Sequence, residues 1–294
     1  MSLSTAAAVM VVPPAWQVTP LSAAAVAVAL VHAVGRRRVA RRQSPSRRRA
    51  GARRAVLVYA GLGVVVVASS GPLGQASMTW LSIHMATHVI EMFLVPALLV
   101  AGGPWVPLVF ALPVRSRRAV LTGWYRGRWT APLRGLAGAA VHPVGAAVLF
   151  NGTMVLWHLP AVYNWASWHG WPMDWLMAPS FVVTGYLFWR VVLASPPWRP
   201  RGSSLQQIAV VVGTAFEMLV LSVALAVLAR TPVYSMHVQM DGPAAALRDQ
   251  RLGAGVLWVC GDLWAVPAAV LVAYRIYTGG WRWSATSAPP AGSS

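Results

Sequence analysis

Ile83-His84-Met85-Ala86-Thr87-His88-Val89-Ile90-Glu91, running on into the apolar residues 92–101, is the stretch on which the fold turns. It sets two imidazoles and a carboxylate into a segment long and apolar enough to cross a bilayer as a helix. At offsets i, i+4 and i+7 the three side chains fall on one helical face. Ionisable groups inside a bilayer are costly and usually face a protein interior, where they bind or relay something. A lone buried histidine is more often a satisfied core residue. A His-His-Glu stripe at helical spacing points to a site.

Working outward, the 294 residues are 57% hydrophobic and only 10% charged. That composition predicts an all-α polytopic membrane protein rather than a soluble globule. The net charge of +18 comes from 24 basic residues, every one an arginine. Ten lie between Arg36 and Arg54 and six between Arg115 and Arg134. Both clusters separate apolar runs, as the positive-inside rule expects of cytoplasmic loops. Contact with anionic membrane lipids is their expected second role, and nucleic acid is not an expected partner. The single cysteine, Cys260, excludes a disulfide framework or a thiol-pair redox motif within the chain. The N-terminus lacks the basic region and clear cleavage site of a secretory signal, so it is read as mature sequence.

Seven spans are expected, near residues 16–34, 55–70, 80–112, 141–159, 173–193, 205–229 and 252–277. Separate apolar runs of this length must be helices, because lipid satisfies no open backbone group. The loops after runs one, three and five carry ten, six and two arginines, whereas those after runs two and four carry none. The N-terminus is therefore expected outside and the C-terminus in the cytoplasm. One transmembrane domain, residues 1–283, is expected with a disordered Ser/Ala/Pro/Gly tail at 284–294.

This topology sends five of the seven histidines to the outer face: His84, His88, His158, His169 and His237. At a rise of about 1.5 Å per residue, His84 and His88 sit about 6 and 12 Å beyond Trp80, and Glu91 near the midplane. His158 ends the next span at a height similar to His84. A metal site of His84, His88 and His158 is expected. Imidazoles suit copper, zinc or iron, and nearby thioethers favour Cu(I). Met236, His237 and Met240 are accessory candidates. Glu91, Glu217 and Asp262 are intramembrane carboxyl groups that could support a metal-bound imidazole, relay protons or hydrogen-bond between helices.

Enzyme signatures are missing. His84-Met85-Ala86-Thr87-His88 has Met85 where a zinc protease needs its glutamate. Neither a phosphate-binding loop nor a nucleophile elbow occurs. On residue type, bis-imidazole haem ligation by His88 and His158 stays open.

Three ordered stretches resemble the multi-spanning CtaG-type cytochrome c oxidase assembly factors. The first is His84-Met85-x-x-His88 with Pro96-x-Leu98-Leu99 and Gly102-Gly103-Pro104. The second is Trp157-His158-x-Pro160-x-x-Tyr163, with Gly185-x-x-Phe188-Trp189 following. The third is Pro232-x-Tyr234-Ser235 with Asp249-Gln250-x-Leu252-Gly253 and Trp258. They cover residues 80–258. The resemblance implies a non-enzymatic protein of the bacterial plasma membrane that helps copper reach a haem-copper oxidase from the outer side. Oxidase subunits, and an extracytoplasmic copper chaperone, are its implied partners. Members commonly carry two further histidines at the start of span five. Asp174 and Ala178 stand at those positions; Asp174 could still act as an oxygen ligand whereas Ala178 cannot, and Glu91 or His169 could compensate for the reduced set. The alternatives are a copper transporter whose path is lined by Glu91, Glu217 and Asp262, and a haem- or quinone-interacting membrane protein.

Overall fold

A computed structural model describes residues 16–200 and 202–278, the side chain of Asp262 excepted. The tail expected at 284–294 lies outside the described residues. The chain runs through α1 (Pro20–Ala40), α2 (Pro45–Ser70), a short α3 (Pro72–Thr79), α4 (Leu81–Gly102), α5 (Trp105–Ala111), α6 (Val114–Arg126) and α7 (Ala131–Ala140). It continues through α8 (Pro143–His158), α9 (Pro160–His169), α10 (Met173–Val192), α11 (Ser204–Leu228), α12 (Ser235–Asp241) and α13 (Pro243–Thr278). No β-strand occurs among the described residues; an isolated bridge joins Ser195 and Trp198.

All seven apolar runs fall in helices, but not all are spans by length and composition. Helices α2, α4, α10, α11 and α13 are long and apolar enough to cross a membrane. A sixth forms if α7 and α8 are taken together across their 79° bend. Alone, α8 has 16 residues, short of the roughly 20 a bilayer needs. The first run is a 21-residue helix, yet Arg36, Arg37 and Arg38 occupy its last turns and dilute its apolar length. The connections are more helical than the sequence suggests. The segments carrying Tyr163 and His237, expected as loops, are α9 and α12.

Local chemistry sets the boundaries. Proline fills the first turn of α1, α2, α3, α8 and α9, where its missing N–H is no loss. Thr19 and Ser22 form a reciprocal capping box on α1. The long third run stops where the sequence suggests: Gly103 turns the chain out of α4 at φ 62°, and Pro104 follows. Within α4 a widened π turn spans Ile90–Leu94, and another opens α10 at Met173–Met177. Pro96 and Pro179 follow these turns; neither can donate to the carbonyl four residues back, and the wider turn relieves the clash with the ring.

Helix α4 is the hub, packed against α2, α3, α10 and α13. Its Met85, Met92 and Phe93 join the main core with Phe150, Met154, Phe181, Phe188, Met218, Leu257 and Trp264. Val95 belongs instead to a smaller cluster with Ala25, Val58, Leu62 and Val65 of α1 and α2. Contact with α10 is close because Gly185 offers no Cβ: one built there would collide with the Met92 carbonyl. The connections sort the bundle's two ends. The arginine-rich links from α1 to α2 and from α5 to α8 lie at one end, and His84, His158 and His237 lie at the other.

Candidate metal centre

The centre is built on the first two turns of α4, and a distant residue fixes where that helix starts. Trp80, its N-cap, offers no side-chain cap. The Asp249 carboxylate of α13 takes that role, accepting from Leu81 N at 2.5 Å, Ser82 N at 3.3 Å and Ser82 Oγ at 2.5 Å. A carboxylate at a helix N-terminus satisfies orphan amides and suits the helix dipole. One turn on, His84 projects inward, and His88 follows a turn later.

His84, His88 and His158 are brought together, each less than 8% exposed. The His84 and His88 rings lie 4.2 Å apart between centroids, and those of His88 and His158 lie 6.0 Å apart. His84 Nε2 and His88 Nδ1 are buried without a hydrogen-bond partner. His158 Nδ1 lies 2.7 Å from the Met154 carbonyl, which can only accept, so the ring proton of the neutral imidazole belongs there. Its Nε2 then presents a lone pair to the Met85 sulfur, 3.3 Å away. A thioether sulfur facing an imidazole lone pair, beside two unpartnered imidazole nitrogens, is the kind of donor chemistry that suits Cu(I). Among the described residues no three His, Cys, Asp or Glu side chains close on a common point.

Beside these rings lies a cavity of about 70 Å³, lined by His84, His88, Glu91, Met78, Met173, Asp174, Met177 and Ala178. That is room for an ion and a few waters at about 30 Å³ each, and far too little for a porphyrin. Glu91 is buried, with Oε2 3.9 Å from His88 Nδ1, so the carboxylate of the stripe does reach the histidine side of the helix. Asp174 and Ala178 line the same cavity, at the positions where the resemblance placed further histidines.

The accessory candidates separate. His237 is buried and its Nε2 lies 3.0 Å from the Tyr163 hydroxyl, whose ring packs 5.5 Å from His84. Met236 is half-buried, while Met240 at the end of α12 is exposed. His169 is also exposed, held by the Trp165 carbonyl of its own helix and outside the cluster. Glu217, on α11, has both carboxylate oxygens buried without a partner. The Asp262 side chain lies outside the described residues.

Sequence reasoning missed the roof of this site. The Tyr234 hydroxyl donates to the His158 carbonyl at 3.1 Å. Asn164 ties α9 to the Val233 carbonyl and the Ser235 amide, and Gln250 ties the Val233 amide to the Leu225 carbonyl. The signal lies in the Pro232–Trp258 stretch of the resemblance, whose Tyr234 and Gln250 prove to be hydrogen-bonding members of this roof.

The roof should respond to acid. Burial pushes the His237 imidazole below its ordinary value, with the Thr79 carbonyl and the Asp249 and Asp241 charges partly offsetting. The folded state therefore resists a proton that the unfolded chain takes up near pH 6.5. Stability of α12 is full above that pH and declines as pH falls below it. Hydrogen exchange across residues 229–242, corrected for intrinsic rates, should accelerate between pH 7.5 and 5.5. His237→Asn, which does not titrate, should flatten that step; an unchanged step would assign it to another group.

Helices of membrane-crossing length, with buried imidazoles gathered at one end, are compatible with a multi-pass membrane protein. The chain belongs to the cytochrome c oxidase caa3 assembly factor family, whose model matches residues 30–279. It is similar to uncharacterized proteins of Mycobacterium bovis and Mycobacterium tuberculosis, each 25% identical over 211 residues, or 69% of this chain and 31% of theirs. A Mycobacterium leprae protein, also uncharacterized, is 24% identical over 216 residues, 71% of this chain and 32% of its own. The chain thus spans about a third of the length of these relatives. No solved structure matches.

Proposed function

We propose that this protein is a plasma-membrane assembly factor for cytochrome c oxidase that holds Cu(I) transiently at its outer face and passes it to the oxidase. The observation that carries the reading is the Met85 sulfur facing His158 Nε2 beside the unpartnered nitrogens of His84 and His88. Copper is cargo here, and an open, unsaturated donor set suits an ion that must leave again. A closed four-ligand site holds its ion, as structural zinc sites do. The roof of α9 and α12 would control access, and Glu91 and Asp174 would supply carboxyl oxygens beside a cationic cargo. Seven spans, with the N-terminus outside, put the histidine end of the bundle outside and the arginine end in the cytoplasm, in accord with the positive-inside rule.

Metal analysis of the purified, reduced protein tests the reading. Copper near one equivalent, with no absorbance in the Soret region, is expected; a stoichiometric Soret band or copper at background would overturn it. In cells, deletion should leave a copper-poor oxidase whose activity recovers in part with added copper.

Glu217 supports a second reading, passage of copper across the membrane, since a carboxyl group buried without a partner is a costly feature to keep in a span. Transport predicts copper uptake by proteoliposomes that Glu217→Gln abolishes, whereas assembly predicts no flux.

A further inference from the structure

At the opposite end of the bundle the structure holds a second candidate site. A cavity of about 190 Å³ opens between the end of α1, the start of α2 and the turn from α4 into α5. Arg36, Arg48 and Arg54 line it. A neighbouring cavity of about 280 Å³ shares Arg36 and Arg48 and adds Arg37 and Arg41. Neither has a carboxylate in its wall. The whole chain has six acidic residues, and the first along the sequence is Glu91. These guanidinium groups therefore have no counter-charge of their own, although they repel one another across a confined space.

Other arginines nearby are committed to the fold. Arg38 donates to the Ala111 carbonyl at 2.6 Å and Arg117 lies 4.3 Å over the Phe110 ring, which ties α1 and α6 to α5. The guanidinium groups of Arg36, Arg48 and Arg54 make no hydrogen bond or ion pair among the described residues, and their forks are left to an external anion. Apart from His32 and Gln43, the remaining wall is apolar, with Val39, Ala55, Val106 and Pro107. Val31, Val34 and Val56, on the flanking turns of α1 and α2, are exposed. Cationic forks above an apolar wall suit an anion carried on an acyl chain better than one free in water.

We propose that this arginine cradle is a specific binding site for the phosphate of an anionic lipid headgroup. The assignment of the ligand to a lipid rests on the membrane reading given above; the anion chemistry does not. The site would anchor the end of α1 to the start of α2, the most basic of the long helices, through a bound lipid.

Native mass spectrometry of the detergent-solubilised chain, titrated with phosphatidylglycerol or phosphatidylcholine, tests this without reference to copper or oxidase. Phosphatidylglycerol should bind saturably and phosphatidylcholine should not. The triple variant Arg36→Gln/Arg48→Gln/Arg54→Gln should bind phosphatidylglycerol roughly 100-fold more weakly, the loss expected for three basic side chains. Arg115→Gln/Arg118→Gln/Arg126→Gln, which removes the same charge outside both cavities, should change it little. Arg48→Gln alone, at an exposed position, reports on the site should the triple variant not fold, and should weaken binding severalfold. Equal losses in the two triple variants, or no loss with Arg48→Gln, would reduce the cradle to diffuse charge and overturn the proposal. Displacement of the lipid by millimolar inorganic phosphate would show a free-anion site and overturn the lipid assignment.

Discussion

His88→Ala is expected to leave the protein as abundant in the membrane as the native chain, while removing its copper and the oxidase activity that copper supports. The unequal outcome follows from how the side chain is held. His88 is 3% exposed, yet its Nδ1 makes no hydrogen bond and its nearest carboxyl oxygen, Glu91 Oε2, stands 3.9 Å away, so deleting the ring breaks no hydrogen bond at Nδ1. The ring borders the existing 70 Å³ cavity and packs against Phe181 at 4.6 Å and His84 at 4.2 Å. Its removal enlarges a void instead of opening a new one in dense core, and the cost should fall at the low end of the usual 0.5–3 kcal/mol, about 1 kcal/mol. Copper affinity should fall further than the roughly 10–100-fold that loss of an outer-shell partner costs. His88→Met, which keeps a soft donor of similar size, should retain part of the copper. Parallel loss of abundance and activity in His88→Ala would make His88 a packing residue, and native copper content in that variant would exclude it from the site.

How far the sequence reaches depends on the range of the interaction. Apolar runs and prolines are local signals, so every expected run is largely helical, and the break that divides the third at Gly103 falls where expected. The His84, His88 and Glu91 stripe needs only helical spacing, and all three line one cavity. His158 joins them through topology, from the parity of the arginine-rich loops. The failures are tertiary. Spacing cannot show that His169 turns back onto its own helix while His237 turns inward onto Tyr163. In the sequence Met85 is an ordinary flanking thioether, because its meeting with His158 requires two helices 73 residues apart to be placed side by side. The π turns are equally hidden. Two of them come just before Pro96 and Pro179, which remove a donor from a helix that packing forces to continue, while the third, at Ala224–Leu228, has no proline directly after it.

Asp249→Ala is expected to fail in the opposite way to His88→Ala, losing the protein first and the site as a consequence. Asp249 is 7% exposed and accepts from two amides and one hydroxyl at the start of α4, 167 residues away in the chain. Alanine would leave Leu81 N, Ser82 N and Ser82 Oγ without an acceptor where water scarcely reaches. A hydrogen bond to a charged acceptor contributes about 1.5–3 kcal/mol net, and the helix-dipole contact a few tenths more. The three bonds share one carboxylate and are not additive, so a total loss of about 3 kcal/mol is expected. That is a large part of a typical stability, and abundance should fall severalfold with oxidase activity following in proportion. Asp249→Asn keeps one acceptor oxygen and should lose about half as much. Thermal unfolding of the purified variants in detergent, beside their abundance in membranes, separates the cases. A native midpoint for Asp249→Ala would mean that packing of α4 against α2 and α10 fixes its start unaided. A lowered midpoint with copper still bound by the surviving fraction would mean that the cap holds the helix without orienting His84. Loss of both is what a cap one turn before the first imidazole requires.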